Sequence, residues 1–436
     1  MRPRLGAIAA FLVAASAAPA SAAEVTRVAT RGEPGNPFEL HLSAWWDRLQ
    51  EQARITRENA PEELRYSRTV NSIYARAAIA IAEDLEIHFE MPYVLADDRT
   101  WRFGIRGSST TGVPGNSIEG NAIDASGAPC PDVNGDGIPD PCPLFPVAPT
   151  TTVYHGGKIG DLQVGLAWGI FSDKKDPTKP YWLVGLDVTA PTAALYDPAA
   201  NRGTDWSSPF NVQGKPGPFG EKVWRWDLYT VLSKRIGAID PYFKAHGTLL
   251  TKSSSTYSNC DHVQELATPS AAVPVPQMSS AAIAACQAGG ADAGAQLPWI
   301  AGVTFGVELV PYENAADQQK VSIDLRLWGD YTSSGRFYNE LTDAAGKLLW
   351  TDEYLTAGAL FGLYLRASKF ISLQATASLA TKTDHFVTGE TIGRNRTWDA
   401  SSPNPNFDWR YDAPGRRFKL SEVALFQVQA GAVLQF

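Results

Sequence analysis

Residues 423–436 read VALFQVQAGAVLQF. Ala424, Phe426, Val428, Ala430, Ala432, Leu434 and Phe436 fall on one face of an extended chain. From Gln427 onward, Gln427, Gln429, Gly431 and Gln435 fall on the other, with Val433 as the exception. Side chains of a strand point alternately to its two faces. The segment therefore reads as one long β-strand, apolar on one side and polar on the other, that stops on an aromatic residue.

The opposite end of the chain bears on where such a strand is used. Arg2 and Arg4 precede an apolar run from Leu5 to Ala18, followed by the small residues Ala20-Ser21-Ala22-Ala23. This order is that of a secretory signal peptide, and the run is shorter than the roughly 20 residues a membrane-spanning helix needs. Residues 1–23 are expected to be removed and 24–436 to fold. The 436-residue chain has 38 basic and 46 acidic residues, a formal charge of −8, which argues against nucleic acid as a partner. An exported chain with a terminal strand of this form resembles an outer-membrane β-barrel of a Gram-negative bacterium. In those proteins the last strand is the segment read by the barrel insertion machinery.

Transmembrane strands need about 9–11 residues. Alternating stretches of this kind occur at 37–46, 67–82, 85–95, 159–171, 180–190, 223–234, 240–250, 297–310, 319–331, 355–366, 370–381 and 420–436. Leu85, Ile87, Phe89 and Met91, for example, oppose Glu86, His88 and Glu90. The strand count is even, as in bacterial single-chain barrels. The connections after even-numbered strands are short. Those after odd-numbered strands are long, among them 96–158 and 251–296, which matches short periplasmic turns and long extracellular loops. A closed sheet alone satisfies every backbone group in lipid. The expected fold is thus all-β: a closed antiparallel transmembrane barrel of about 12 strands in an outer-membrane lipid environment, without a separate plug domain. Residues 47–65 have helical composition and are expected in the first long loop as a short surface helix. Trp101, Trp182, Trp224, Trp226, Trp299, Trp350 and Trp409 fall near strand ends or in adjoining loops, where amphipathic rings meet lipid headgroups.

Two loops carry the four cysteines. Cys130 and Cys142 bracket CPDVNGDGIPDPC within 96–158, and Cys260 and Cys286 lie within 251–296. Four cysteines allow three pairings. One disulfide within each loop is the simplest, and oxidising surroundings favour it. Asp132, Asn134, Asp136, Ile138 and Asp140 recur at alternate positions with Gly137 at the bend, a spacing that wraps oxygen donors around one Ca2+. The motif resembles the calcium loops of thrombospondin type 3 repeats. The bidentate Glu that closes an EF-hand is absent, with Pro143 in its place. An Asx-rich turn held by the disulfide alone is the alternative. Either way the loop is stiffened, so its role is structural.

If the apolar set faces lipid, the opposite set lines the lumen. The candidates are Glu39, His41, Arg68, Arg76, Glu86, His88, Glu90, Asp161, Asp187, Arg225, Asp227, Lys244, His246, Glu308, Asp324, Arg326 and Arg366. Inward glycines recur among them at 165, 169, 185, 302, 306, 358 and 362. Charges of both signs in a wide barrel read either as a narrow aqueous path that filters small solutes or as cross-lumen pairs that close it. His41 and Ser43 share a face, a spacing also found in outer-membrane phospholipase A. The Asn-Gly that follows the serine in that family is missing, and the pair turns inward rather than toward lipid. No catalytic residue is assigned and no enzyme is expected.

Gly160-Asp161 opens an alternating strand in GKIGDLQVGLAWGIF, and the next strand, PYWLVGLDVTAPT, runs into Pro191-Thr192. With the preceding EDLEIHFEMPYVL at 83–95, these motifs resemble a family of outer-membrane transporters named for a link to meta-pathway phenol degradation. The family often has Gly after Pro-Thr, where this chain has Ala193. The resemblance covers roughly 83–250 and implies a porin-like transport barrel. The expected function is uptake or efflux of small solutes, hydrophobic or aromatic ones included, through a polar, charge-lined lumen. The alternative is a non-conducting surface barrel whose Ca2+-stiffened extracellular loops bind a partner.

Overall fold

The computed structural model describes residues 28–30, 38–58, 62–103, 150–172, 176, 178–198, 213–262, 294–314, 316–399, 401, 404–415 and 417–436. Twelve strands form the barrel wall. They are β1 Leu40–Arg57, β2 Glu62–Ala82, β3 Leu85–Phe103, β4 Leu162–Phe171, β5 Tyr181–Ala190, β6 Val223–Ser233, β7 Ile239–Lys252, β8 Trp299–Asn314, β9 Gln319–Thr332, β10 Tyr354–Arg366, β11 Ile371–Lys382 and β12 Phe418–Gln435. Each pairs antiparallel with its sequence neighbours. The sheet closes between β1 and β12, from His41 opposite Gln435 to Arg57 opposite Phe418. Leu40 and Phe436 exchange both backbone bonds at 3.0 Å, so no edge is left at the seam.

Alternation explains the middle of the wall. Leu42, Trp46, Ile73, Phe89, Met91, Leu166, Leu228, Phe305, Leu327, Phe361, Leu379, Phe426 and Leu434 all point outward and are exposed. An exposed apolar surface on this scale is what lipid covers. Trp168, Trp224, Trp226 and Trp299 join it. Trp101 and Trp350 do not: they are 4% and 6% exposed, Trp101 in the barrel interior and Trp350 among the long connections.

Residues 47–57 correct the expected helix. They continue β1, β2 begins at Glu62, and only 58–61 connect them, so the first connection is short. The polarity of the wall inverts there. Arg48, Gln52 and Arg54 occupy the outward positions of β1, while Ala53 and Ile55 point inward at 6% and 0% exposure. An outward face this polar suits water rather than lipid, and it surrounds an apolar interior. That interior combines Ala53, Ile55, Leu64, Tyr66, Trp101 and Val153 with Phe418, Leu420 and Val423, and with Leu341, Leu349, Val387 and Tyr411 from the long connections.

The strand opposite β3 is broken into pieces. Thr150–His155 and Lys158–Ile159 pair with the outer half of β3, and β4 pairs with its inner half. Gly156 and Gly157 at the break have φ of 118° and 64°. A Cβ on Gly156 would press on the Ala96 backbone at 2.9 Å, so glycine is required for the close approach.

The long connections interlock over the barrel end. Arg336 binds Glu390 through two bonds of 2.5 and 2.8 Å. Asn259 bridges the Leu348 carbonyl and Asn406, and Lys347 donates to the Asn406 carbonyl at 2.7 Å. Cys260 is buried, and the described residues include no free cysteine. Cys130, Cys142 and Cys286, and the Asp132–Asp140 loop, lie outside the described residues, as do residues 1–23.

Candidate functional site

The barrel encloses a cavity of about 620 Å3 in the half of its lumen nearer the short turns. Of the residues expected in the lumen, His41, Arg76, Glu86, Glu90, Asp187, Lys244, Arg326 and Arg366 line it. Ser43, Gln429, Gln435 and the exceptional Val433 of the terminal strand do so too. The remaining candidates are tied into the wall or its ends. Asp161 accepts from the Ala193 amide at 2.7 Å, and Asp227 accepts from the Thr248 hydroxyl. His246 lies 3.4 Å from Asp330, and Glu308 accepts from Lys320 at 2.7 Å. Arg68 sits further out, bidentate on Asp97 at 2.7 and 2.9 Å. Arg225, opposite Thr189, is outside the cavity lining.

A network crosses the wall toward the short-turn end. Both ring nitrogens of His88 face carboxylates, Glu86 at 3.1 Å and Asp187 at 2.9 Å. Arg76 donates to Glu86 at 3.0 Å and Gln163 to Asp187 at 3.0 Å. His88 and Asp187 meet over Gly165, where a Cβ would occupy the space of both groups. Burying this many charges is tolerable only because each is paired.

Sequence alternation did not reveal that residues 28–30 enter the barrel. The Ala29 amide donates to Glu86 at 2.7 Å, and the Thr30 amide to Glu39 at 3.1 Å. The Asp84 amide donates to the Thr30 hydroxyl at 3.1 Å. Val28 packs on Ala167, Tyr181, Leu183 and Val231 and itself lines the cavity. This strap partly fills the lumen beside the 83–84 turn.

At the other end the 333–353 connection reaches inward as a lid. A short helical turn, α1 (Thr342–Ala345), carries Asp343, which accepts from Arg99 at 3.0 Å and lies 3.1 Å from His155. Burial pushes the Asp343 carboxyl up, but the His155 and Arg99 charges beside it outweigh burial and hold it at about 2. Lys382 joins the lid to the wall by bonding Glu340 at 2.9 Å and Glu51 at 2.5 Å.

Aromatic rings are the second feature missed by alternation alone. Tyr229 and Tyr242 line the cavity, each lying flat across a glycine of the adjacent strand. Gly185 is the register partner of Tyr229, and Gly306 that of Tyr242. A Cβ on either glycine would collide with the ring above it. Trp328 beside Gly358 repeats the arrangement. Rings laid against the wall present their faces to the lumen.

No family model matches the sequence, and no curated protein does. Among solved structures, an outer-membrane channel from Pseudomonas putida F1 aligns over 92% of this chain and 95% of its own at 10% identity, with a TM-score of 0.42. A mutant of the TodX monoaromatic hydrocarbon channel aligns over 92% and 90% at 8% identity and TM-score 0.31. The outer membrane protease OmpT from Escherichia coli aligns over 92% and 96% at 6% identity and TM-score 0.28. Likenesses this distant assign neither family nor activity, and the meta-pathway link stays a resemblance of short motifs.

Proposed function

We propose that this protein is an outer-membrane channel that passes small solutes, hydrophobic and aromatic ones included, through the lumen of its barrel. The observation that carries the reading is the cavity of about 620 Å3 inside the wall, lined jointly by charges, hydroxyls and ring faces. Such a lining wets the path and offers apolar contact. On this reading the short turns face the periplasm and the long connections the medium. The signal peptide delivers the chain, and the terminal strand is read by the insertion machinery. Cys130–Cys142 and Cys260–Cys286 close the two outer loops, and Asp132, Asn134, Asp136, Ile138 and Asp140 hold Ca2+ there as a structural ion.

The experiment is solute flux into liposomes carrying the purified, folded barrel. Small neutral aromatics such as benzamide are expected to enter faster than into protein-free liposomes. Equal rates would contradict the proposal. The interlocked connections around Arg336, Glu390 and Asn406 favour a second reading, a closed surface barrel whose rigid cap binds a partner. That reading requires the absence of flux.

A further inference from the structure

Resting on the channel reading, we infer that Lys244 is a docking site for the carboxylate of an aromatic acid passing through the lumen. Most cations of the cavity are already neutralised within the wall. Arg76 is paired with Glu86 at 3.0 Å, Lys320 with Glu308 at 2.7 Å and Arg326 with Asp324 at 2.5 Å; Arg366 is also engaged. Lys244 has no carboxylate within ion-pair distance among the described residues. Its ammonium lies 4.9 Å from the centroid of the Tyr229 ring, which is itself pressed over Gly185. The ring face attracts the cation without supplying a counter-charge.

The acids that could pair with Lys244 are held elsewhere. Asp187 is bound by His88 and Gln163, Asp227 by Thr248, and Asp330 lies with His246 at 3.4 Å. The ammonium thus keeps donor capacity directed into a partly desolvated space, where a charge-assisted bond to a carboxylate is strong. The surroundings suit an aromatic body on that carboxylate. Lys244 is opposite Thr304 in β8, which is opposite Trp328 in β9. Tyr242, two residues away on the Lys244 face of β7, lies flat with Arg326 6.0 Å from its ring. Glu90 is the cavity acid left without an ion pair among the described residues, on the β3 wall, and it sets no competing site for an anion.

The test compares entry of benzoate and of its neutral planar analogue benzamide into liposomes containing the full-length barrel. Wild type is expected to favour benzoate. Lys244→Gln is expected to lower the benzoate-to-benzamide ratio about tenfold, the loss of one charged hydrogen bond. Lys244→Arg is expected to restore the ratio, and Arg225→Gln, outside the cavity lining, to leave it unchanged. An unaltered ratio in Lys244→Gln, or an equal fall in Arg225→Gln, overturns the docking site while leaving the channel standing. Entry of neither compound through wild type overturns both.

Discussion

In the barrel wall a glycine on one strand repeatedly makes room for a ring on the next. At Gly306 an added methyl would take the place of the Tyr242 ring, whose hydroxyl donates to Asp324 at 2.7 Å. Gly306→Ala is therefore expected to destabilise the barrel by about 1–3 kcal/mol, the usual cost of overpacking. Gly247 has no atom nearer than 4.0 Å to such a methyl, and Gly247→Ala is expected to be neutral. Unfolding midpoints in detergent, read by heat-modifiable migration, check the pair. A neutral Gly306→Ala would contradict the role given to the ring. The inward glycines were legible in the sequence because alternation assigns them a face. Their ring partners were not, because cross-strand register is a property of the folded sheet. Trp101 misled for a related reason. Its indole donates to the Glu340 carbonyl at 3.0 Å under the lid, and no local pattern distinguishes that from a ring at a headgroup.

At the scale of elements, the strands in lipid were readable and their extensions were not. The rule that apolar residues face outward holds only where lipid surrounds the wall. Along 47–57 the outer face meets water and the inner face meets a packed core, so the same strand carries the opposite code. The lid is expected to respond to pH. Asp343 has its carboxyl held at about 2 instead of the ordinary 3.8. Its contribution to lid stability is thus fully present above pH about 4 and is lost as pH falls toward 2. Bilayer currents through wild type are expected to rise across that window. Asp343→Asn, which lacks the carboxylate for Arg99 and His155, is expected to show the raised current at pH 6 already. A variant with the wild-type current at both pH values would show that this contact does not hold the lid.

The whole molecule is a cylinder with an insert at each end. The closed sheet, its even strand count and most cavity-lining charges were encoded in period-two alternation, which is a local signal. The strap at 28–30 and the lid at 333–353 were not, because their places depend on contacts between segments far apart in sequence. Glu86, for example, anchors Arg76, His88 and the Ala29 amide at once. On the channel reading, these inserts are expected to set how freely a solute crosses the lumen. The most direct measurement is single-channel recording in planar bilayers of wild type beside Ala29→Pro, which removes the amide donated to Glu86. Discrete current steps are expected from wild type, with larger or longer openings in the variant as the strap loosens. A correctly folded barrel that carries no current in either form would contradict the claim that its lumen is a path for solutes.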